Sequence, residues 1–316
     1  MIGNIKKVGD QSRHLINSGI LLTLFMLTGI VPLWAQNNLL DSLDKQMNVN
    51  AVNYAEYTFK GTRLINGQTV ETRNSGSLIF LITHRFGEFN TGLYNFYGLD
   101  VANIRFGFDY SITDRLTLGI GRNSLNKIYD GFLKYKLTRQ CSGARNFPFT
   151  TTLFGSADAT TQHSSLPGVS TPFNQRLDYT AQILLARKFS GKLSIQLMPS
   201  VVHHNYVATG DQPNTIYALG AGGRFKITNR MALTAEYYYR MNGARVSGYY
   251  NSLSFGIDIE TGGHVFQIMF TNSNPMIEEG FISQTTGSWS KAGIHLGFNI
   301  SRIFNLKPYN PDSDWK

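Results

Sequence analysis

One cysteine, nine prolines and a charged fraction of 16% are what this chain of 316 residues has little of. A lone Cys141 excludes an internal disulfide framework, and nothing around it resembles a cysteine-based site, so it reads as a free thiol. Scarce proline leaves long stretches free to pair as strands. No block of Lys and Arg stands out despite a formal charge of +9, which argues against a nucleic-acid partner. After residue 35 no apolar run reaches the roughly 20 residues that a spanning helix needs. The remainder can therefore enter a bilayer only as a closed barrel, because lipid offers no partner to an open sheet edge. The competing class is a soluble all-β sandwich.

What is present begins with a basic segment carrying Lys6, Lys7 and Arg13, then an apolar run from Ile20 to Val31, then Pro32-Leu33-Trp34-Ala35. This order predicts a secretory signal peptide over 1–35, cut after Ala35. Asn17 and Ser18 interrupt the run, which is short for an anchor helix, and no cysteine follows it. Removal of the segment takes away three cations and Asp10, leaving the mature chain near +7. Lipid A phosphates or a mildly anion-favouring lumen are the expected counterparts of that charge.

Aromatic residues and glycine are plentiful, with 21 Phe, 16 Tyr and 31 Gly. Apolar and polar residues alternate, the signature of strands with two unlike faces. In ANIRFGFDY, Ala102, Ile104, Phe106, Phe108 and Tyr110 share one face, while Asn103, Arg105, Gly107 and Asp109 share the other. The same alternation recurs at 116–121, 133–137, 177–185, 193–197, 217–225, 231–240, 253–259, 266–270 and 292–300, and more weakly at 78–85 and 149–157. The count predicts an all-β, antiparallel, up-and-down transmembrane barrel of about twelve strands, with apolar faces toward lipid. Inner-face glycines such as Gly107, Gly121, Gly220 and Gly222 would leave holes in a soluble core, whereas in a barrel they relieve crowding.

Connection lengths point the same way. Short turns at 111–115, 190–192, 226–230 and 260–263 mostly alternate with longer connections at 86–101, 122–128, 158–176, 205–214, 241–251 and 272–290. Short turns at the periplasm and long loops outside are the outer-membrane arrangement. The connection 138–148 is long for a periplasmic turn and raises the expectation of a misread strand there. Residues 36–77 are read as a separate N-terminal segment. It holds one helical turn at Leu39, Leu40 and Leu43, an extra strand at Tyr54–Phe59, and a turn at Asn66-Gly67, and it sits in the lumen, at the seam or in the periplasm. The barrel is expected over 78–304 and a periplasmic tail over 305–316.

The stretches FKGTRLING at 59–67, THRFG at 83–87, Gly98-Leu99-Asp100 and YDGFLKYK at 129–136 resemble a family of Bacteroidetes outer-membrane β-barrel proteins of the DUF5777 type. The resemblance runs over nearly the whole mature chain and is densest at 59–137. It implies a barrel in the outer membrane of a Gram-negative bacterium of that group and brings no catalytic residues with it.

Site chemistry must then come from the residues. Arg105, Lys134, Lys136, Lys188, Arg224 and Arg240 fall on inner faces, together with Asp109, Asp178, Glu236 and Asp258. In a pore such charges set selectivity, and in a closed barrel they pair across the lumen and fill it. The mixed signs favour partial closure by ion pairs. His203 and His204 lie at the outer end of a strand with Asp211 in the next loop, and Ser200 and Ser247 are nucleophiles only by guess. Adjacent strand residues point to opposite faces, which counts against both a shared metal and a shared catalytic site, and neither His84 nor His295 makes a metal site alone. The sequence therefore predicts a non-enzymatic barrel that passes or binds a small solute, or supports an envelope complex, without cofactor or metal. Lipopolysaccharide, a small solute and a periplasmic or surface protein are the expected partners. The alternatives are a rim hydrolase or acyltransferase using His203 or His204, and a closed scaffolding barrel.

Overall fold

The computed structural model describes residues 51–162, 171–207, 212–242 and 248–308. The signal peptide, the helical turn at Leu39–Leu43, Asp211, Ser247 and most of the tail lie outside the described residues. Contacts divide the chain into a large unit, Tyr54–Ser142 with Asn146–Lys316, and a small one, Met1–Asn53 with Gly143–Arg145. In the small unit the Ala144 N–H donates to the Ala51 carbonyl at 3.1 Å.

The large unit is a closed antiparallel barrel of twelve strands in which each pairs with its neighbours in sequence. They are β1 (Ser77–Glu88), β2 (Ala102–Ser111), β3 (Leu116–Asn123), β4 (Ile128–Thr138), β5 (Thr150–Thr160), β6 (Leu177–Lys188), β7 (Leu193–His204), β8 (Thr215–Lys226), β9 (Met231–Arg240), β10 (Ser252–Thr261), β11 (His264–Thr271) and β12 (His295–Asn305). Closure comes from β12 against β1, running from Asn305↔Ser77 to His295↔Glu88. Every alternating segment became one strand, because a slip of one residue would turn its apolar face inward. The long connection 138–148 hides no missing barrel strand, since β4 pairs directly with β5.

Two boundaries differ from the sequence reading. The last strand begins at His295 and not at Ala292, because Ala292 adopts the left-handed conformation (φ 52°) that ends a short 3₁₀ turn. No strand forms across Tyr54–Phe59; only Val52–Tyr54 is extended.

The barrel is inside out relative to a soluble domain. Phe106, Phe108, Ile120, Leu133, Ile183, Leu197, Tyr217 and Phe255 stand exposed on its outer surface. Arg85, Arg105, Lys134, Gln196 and Glu236 are buried inside. That inversion is the pattern of a sheet solvated by hydrocarbon outside.

Candidate functional site in the barrel lumen

The lumen is occupied. Residues 58–72 enter from the end that carries the short turns and double back at Asn66-Gly67. The Leu64 N–H donates to the Gly67 carbonyl at 2.8 Å and Thr69 N–H to the Thr62 carbonyl at 2.9 Å. The connection expected outside over 272–290 spans 272–294; it dips inward from the long-loop end and forms a short helix, α1 (Glu278–Ser283), whose six residues are all buried. The two segments meet in an ion pair, Arg63 Nη1 to Glu278 Oε1 at 2.6 Å, with both side chains about 95% hidden.

Apolar packing explains why they stay. Leu184, Met198, Val202, Ile216 and Tyr238 point inward from β6 to β9 and are buried, although in an open channel they would face water. They form one cluster with Phe59, Leu64 and Val70 of the first segment and Phe281 and Ile282 of the second. Burying a side chain of this size contributes about 1.5–3 kcal/mol, so the five apolar residues of the inserted segments supply a substantial holding energy.

Polar side chains of the wall satisfy the backbone of the first segment, as a buried loop requires. Glu236 accepts N–H bonds from Ile65 (3.3 Å), Asn66 (2.8 Å) and Gly67 (3.2 Å). Gln196 donates to the Gln68 carbonyl at 2.7 Å and accepts from the Val70 N–H at 2.9 Å. Gln267 donates to the Leu64 carbonyl and Asn299 to the Ile65 carbonyl, each at 2.8 Å. Arg85 Nη2 donates to Asn66 Oδ1 at 2.6 Å.

The charged residues singled out in the sequence sort into several environments. Lys134 Nζ reaches the Thr62 carbonyl and Gln68 Oε1 at 3.4 and 3.3 Å, and Asp109 Oδ2 accepts from Thr62 Oγ1 at 3.5 Å. Lys136 lies 3.8 Å from Glu71 of the inserted segment. Arg224 pairs with Glu260 and lies 3.8 Å from Asp258, which also accepts from Gln267 at 2.9 Å. Lys188 sits at the short-turn end and donates to the Glu56 carbonyl at 2.7 Å. Arg240 lies at the other end with its guanidinium 5.5 Å from the centre of the Tyr249 ring. Closure is thus achieved mainly by two inserted segments; the expected ion pairs across an otherwise empty lumen are a minor part. A twelve-stranded lumen is too wide for side chains alone to fill.

Glycines make room for this filling. A Cβ on Gly222 would collide with the Leu64 side chain and come 3.0 Å from the Ala235 carbonyl, and one on Gly67 would collide with the Tyr238 hydroxyl. Replacing Gly222 by Val is expected to push the first segment off the wall, since overpacking of this kind costs about 1–3 kcal/mol. Trypsin should then cut at Arg63, which is 5% exposed in the native barrel, at least several-fold faster than in wild type, while the barrel stays closed.

A distinct cluster lies at the long-loop end. Register places Asp130 opposite Asp158, Asp158 opposite Asp178, and Asp178 opposite His204, a row across β4 to β7. Arg105 reaches over Gly107 and Gly121 to bind Asp130 through two nitrogens, Nε at 2.8 Å and Nη2. Glu278 and Glu279 of α1 sit above the row. Burial drives the Glu279 carboxyl well above the usual carboxylate range, and the facing carboxylates of Asp158 and Asp178 push it the same way. A cavity of about 230 Å³ lined by His204, Ile216, Arg240, Tyr249, Ser283 and Gln284 opens beside it. At the short-turn end a second cavity of about 600 Å³ is lined by Glu56, Glu71, Arg73, Lys136 and Arg139 among others.

His204 links the wall to the helix. Its Nδ1 lies 2.8 Å from Asp178 Oδ1 and its Nε2 lies 2.9 Å from Ser283 Oγ. These separations match those of a serine nucleophile, its base and an orienting acid. The polarity does not. Ser283 donates its only hydroxyl proton to the Glu279 carbonyl, so Nε2 must be the donor toward Oγ, the reverse of what proton abstraction needs. Neither serine considered from sequence joins the histidine: Ser200 donates to the Met198 carbonyl and Ser247 is outside the described residues. His203 is exposed on the opposite face, with Nδ1 2.8 Å from Thr215 Oγ1.

The profile of a family described as a membrane-bound β-barrel domain, DUF5777, matches residues 59–304. No curated protein matches the chain. Among solved structures, the NanC porin covers 72% of this chain with 98% of its own, at 10% identity and a TM-score of 0.44. An outer-membrane channel from Pseudomonas putida F1 covers 74% with 98% of its own, at 13% identity and 0.43. Outer membrane phospholipase A from Escherichia coli, as an active-site mutant, covers 77% with 98% of its own, at 12% identity and 0.41.

Proposed function

The chain belongs to the DUF5777 family of membrane-bound β-barrels, and from that premise we propose a non-enzymatic barrel of the Gram-negative outer membrane that passes or binds a small solute and is held shut by its own inserted segments. The observation that carries this reading is the meeting of residues 58–72 and α1 at Arg63 and Glu278. A cavity opens at each end of the lumen, and this ion pair is buried away from both, where the two segments touch. Withdrawal of either segment would join the two cavities. On the outer surface, lipid including lipopolysaccharide is the proposed partner, with the long loops facing outward. A filled lumen also favours a second reading, a permanently closed barrel that supports a periplasmic or surface protein.

Planar-bilayer recording separates the two. Breaking one partner of a buried ion pair destabilises by about 3–5 kcal/mol, so Arg63→Ala should raise the open probability at least tenfold over a mostly closed wild type. No conductance steps from either protein, each shown to be folded by heat-modifiable gel mobility, would overturn the pore and leave the scaffold.

A further inference from the structure

We propose that Asp178, His204 and Glu279, with Asp158 beside them, form a binding site for one divalent transition-metal ion at the long-loop end of the lumen. Ligand atoms of the first three all lie within 4.8 Å of one another. One imidazole with carboxylates is a donor set for Zn²⁺ and its neighbours and not for a hard ion that takes oxygen alone.

Three observations converge here. The first is uncompensated charge. Like charges directly opposite across strands are destabilising, yet Asp130, Asp158 and Asp178 stand in one register row. Arg105 answers Asp130, and Arg63 answers Glu278. Among the described residues no Lys or Arg forms an ion pair with Asp158 or Glu279. The second is an orphan. Asp158 is 2% exposed; Ser156 donates to its Oδ2 at 3.1 Å, while its buried Oδ1 accepts nothing. The third is the histidine. With Nε2 donating to Ser283, Nδ1 is the ring nitrogen that faces the site, 2.8 Å from Asp178 Oδ1, so one nitrogen and one carboxylate oxygen already stand side by side. Metal-binding histidines commonly give the other ring N–H to a fixed acceptor in this way. The adjoining 230 Å³ cavity, lined by His204 and Ser283, is an entry path.

The ion would tie α1 to the wall at Glu279, so the site is independent of whether the barrel conducts. Isothermal titration of the full-length, refolded barrel in detergent with Zn²⁺ is expected to show one saturable equivalent. Glu279→Gln and His204→Ala should each weaken it at least tenfold, and Co²⁺ in the same site should give an absorption spectrum with visible bands that His204→Ala abolishes. Glu279→Gln lies on an inserted loop and keeps the side-chain shape, so it remains testable if His204→Ala fails to fold. Absence of saturable Zn²⁺ binding by folded protein, binding unchanged in Glu279→Gln, or Ca²⁺ binding as tightly as Zn²⁺ would overturn the site.

Discussion

Replacing Glu236 by Ala is expected to free the tip of the inserted hairpin while leaving the barrel closed. The carboxylate accepts three consecutive backbone N–H groups, from Ile65, Asn66 and Gly67, in a region shielded from water. Each buried donor left without a partner costs about 1–3 kcal/mol. The summed loss, about 3 kcal/mol at least, approaches the holding energy of one or two apolar side chains. It is smaller than the combined burial of Phe59, Leu64, Ile65 and Val70, so the base of the segment should stay seated. Hydrogen exchange at the three amides should therefore accelerate by about 100-fold or more, with the β1–β12 ladder unchanged. Glu236→Gln keeps an acceptor oxygen and should show a much smaller effect. Equal protection in Glu236→Ala and wild type would mean that the carboxylate does not hold the tip.

Arg105→Ala should be the most damaging single change in the wall. The guanidinium is fully buried and binds Asp130 through two nitrogens. Its loss leaves a buried carboxylate beside Asp158 in a row that already carries excess negative charge. Removing one partner of a buried pair costs about 3–5 kcal/mol. The temperature at which the folded form disappears in heat-modifiability gels should fall clearly. Arg105→Lys should rescue little, because a single ammonium cannot reproduce the two-nitrogen fork. Adding Asp130→Asn to Arg105→Ala should recover more than half of the loss; a strictly additive double variant would show that the two residues do not act as a pair.

The barrel was legible because its physics is local. Each strand carries its own alternation, and Phe106 and Phe108 on one face with Arg105 and Asp109 on the other declare which side meets hydrocarbon. The inserted segments were not, because a loop held by wall side chains has no period. Only the Asn66-Gly67 turn stood out. Two cues lay in the sequence. Ile183-Leu184-Leu185 and Val201-Val202 break the alternation and place apolar side chains inside, where something apolar must cover them. Met276-Ile277 and Phe281-Ile282 lie in a connection expected to face water, and both pairs are buried. The acidic row required more than any single strand can reveal. Its members come together through the stagger between strands, which alternation does not encode, and Asp130 and Asp158 lay just beyond the strand ends read from sequence. Glu279 arrives on a loop, so nothing in the spacing joins it to His204.

The occupied lumen is the central claim, and hydrogen exchange of the intact wild-type protein in lipid vesicles tests it most directly. Backbone amides of Leu64 to Gly67, Thr69 and Val70 should exchange as slowly as those of the barrel strands, since they are bonded to Gly67, Glu236, Thr62 and Gln196 inside the wall. Exchange of the same amides within seconds, with the strands still protected, would show an empty lumen and contradict the account.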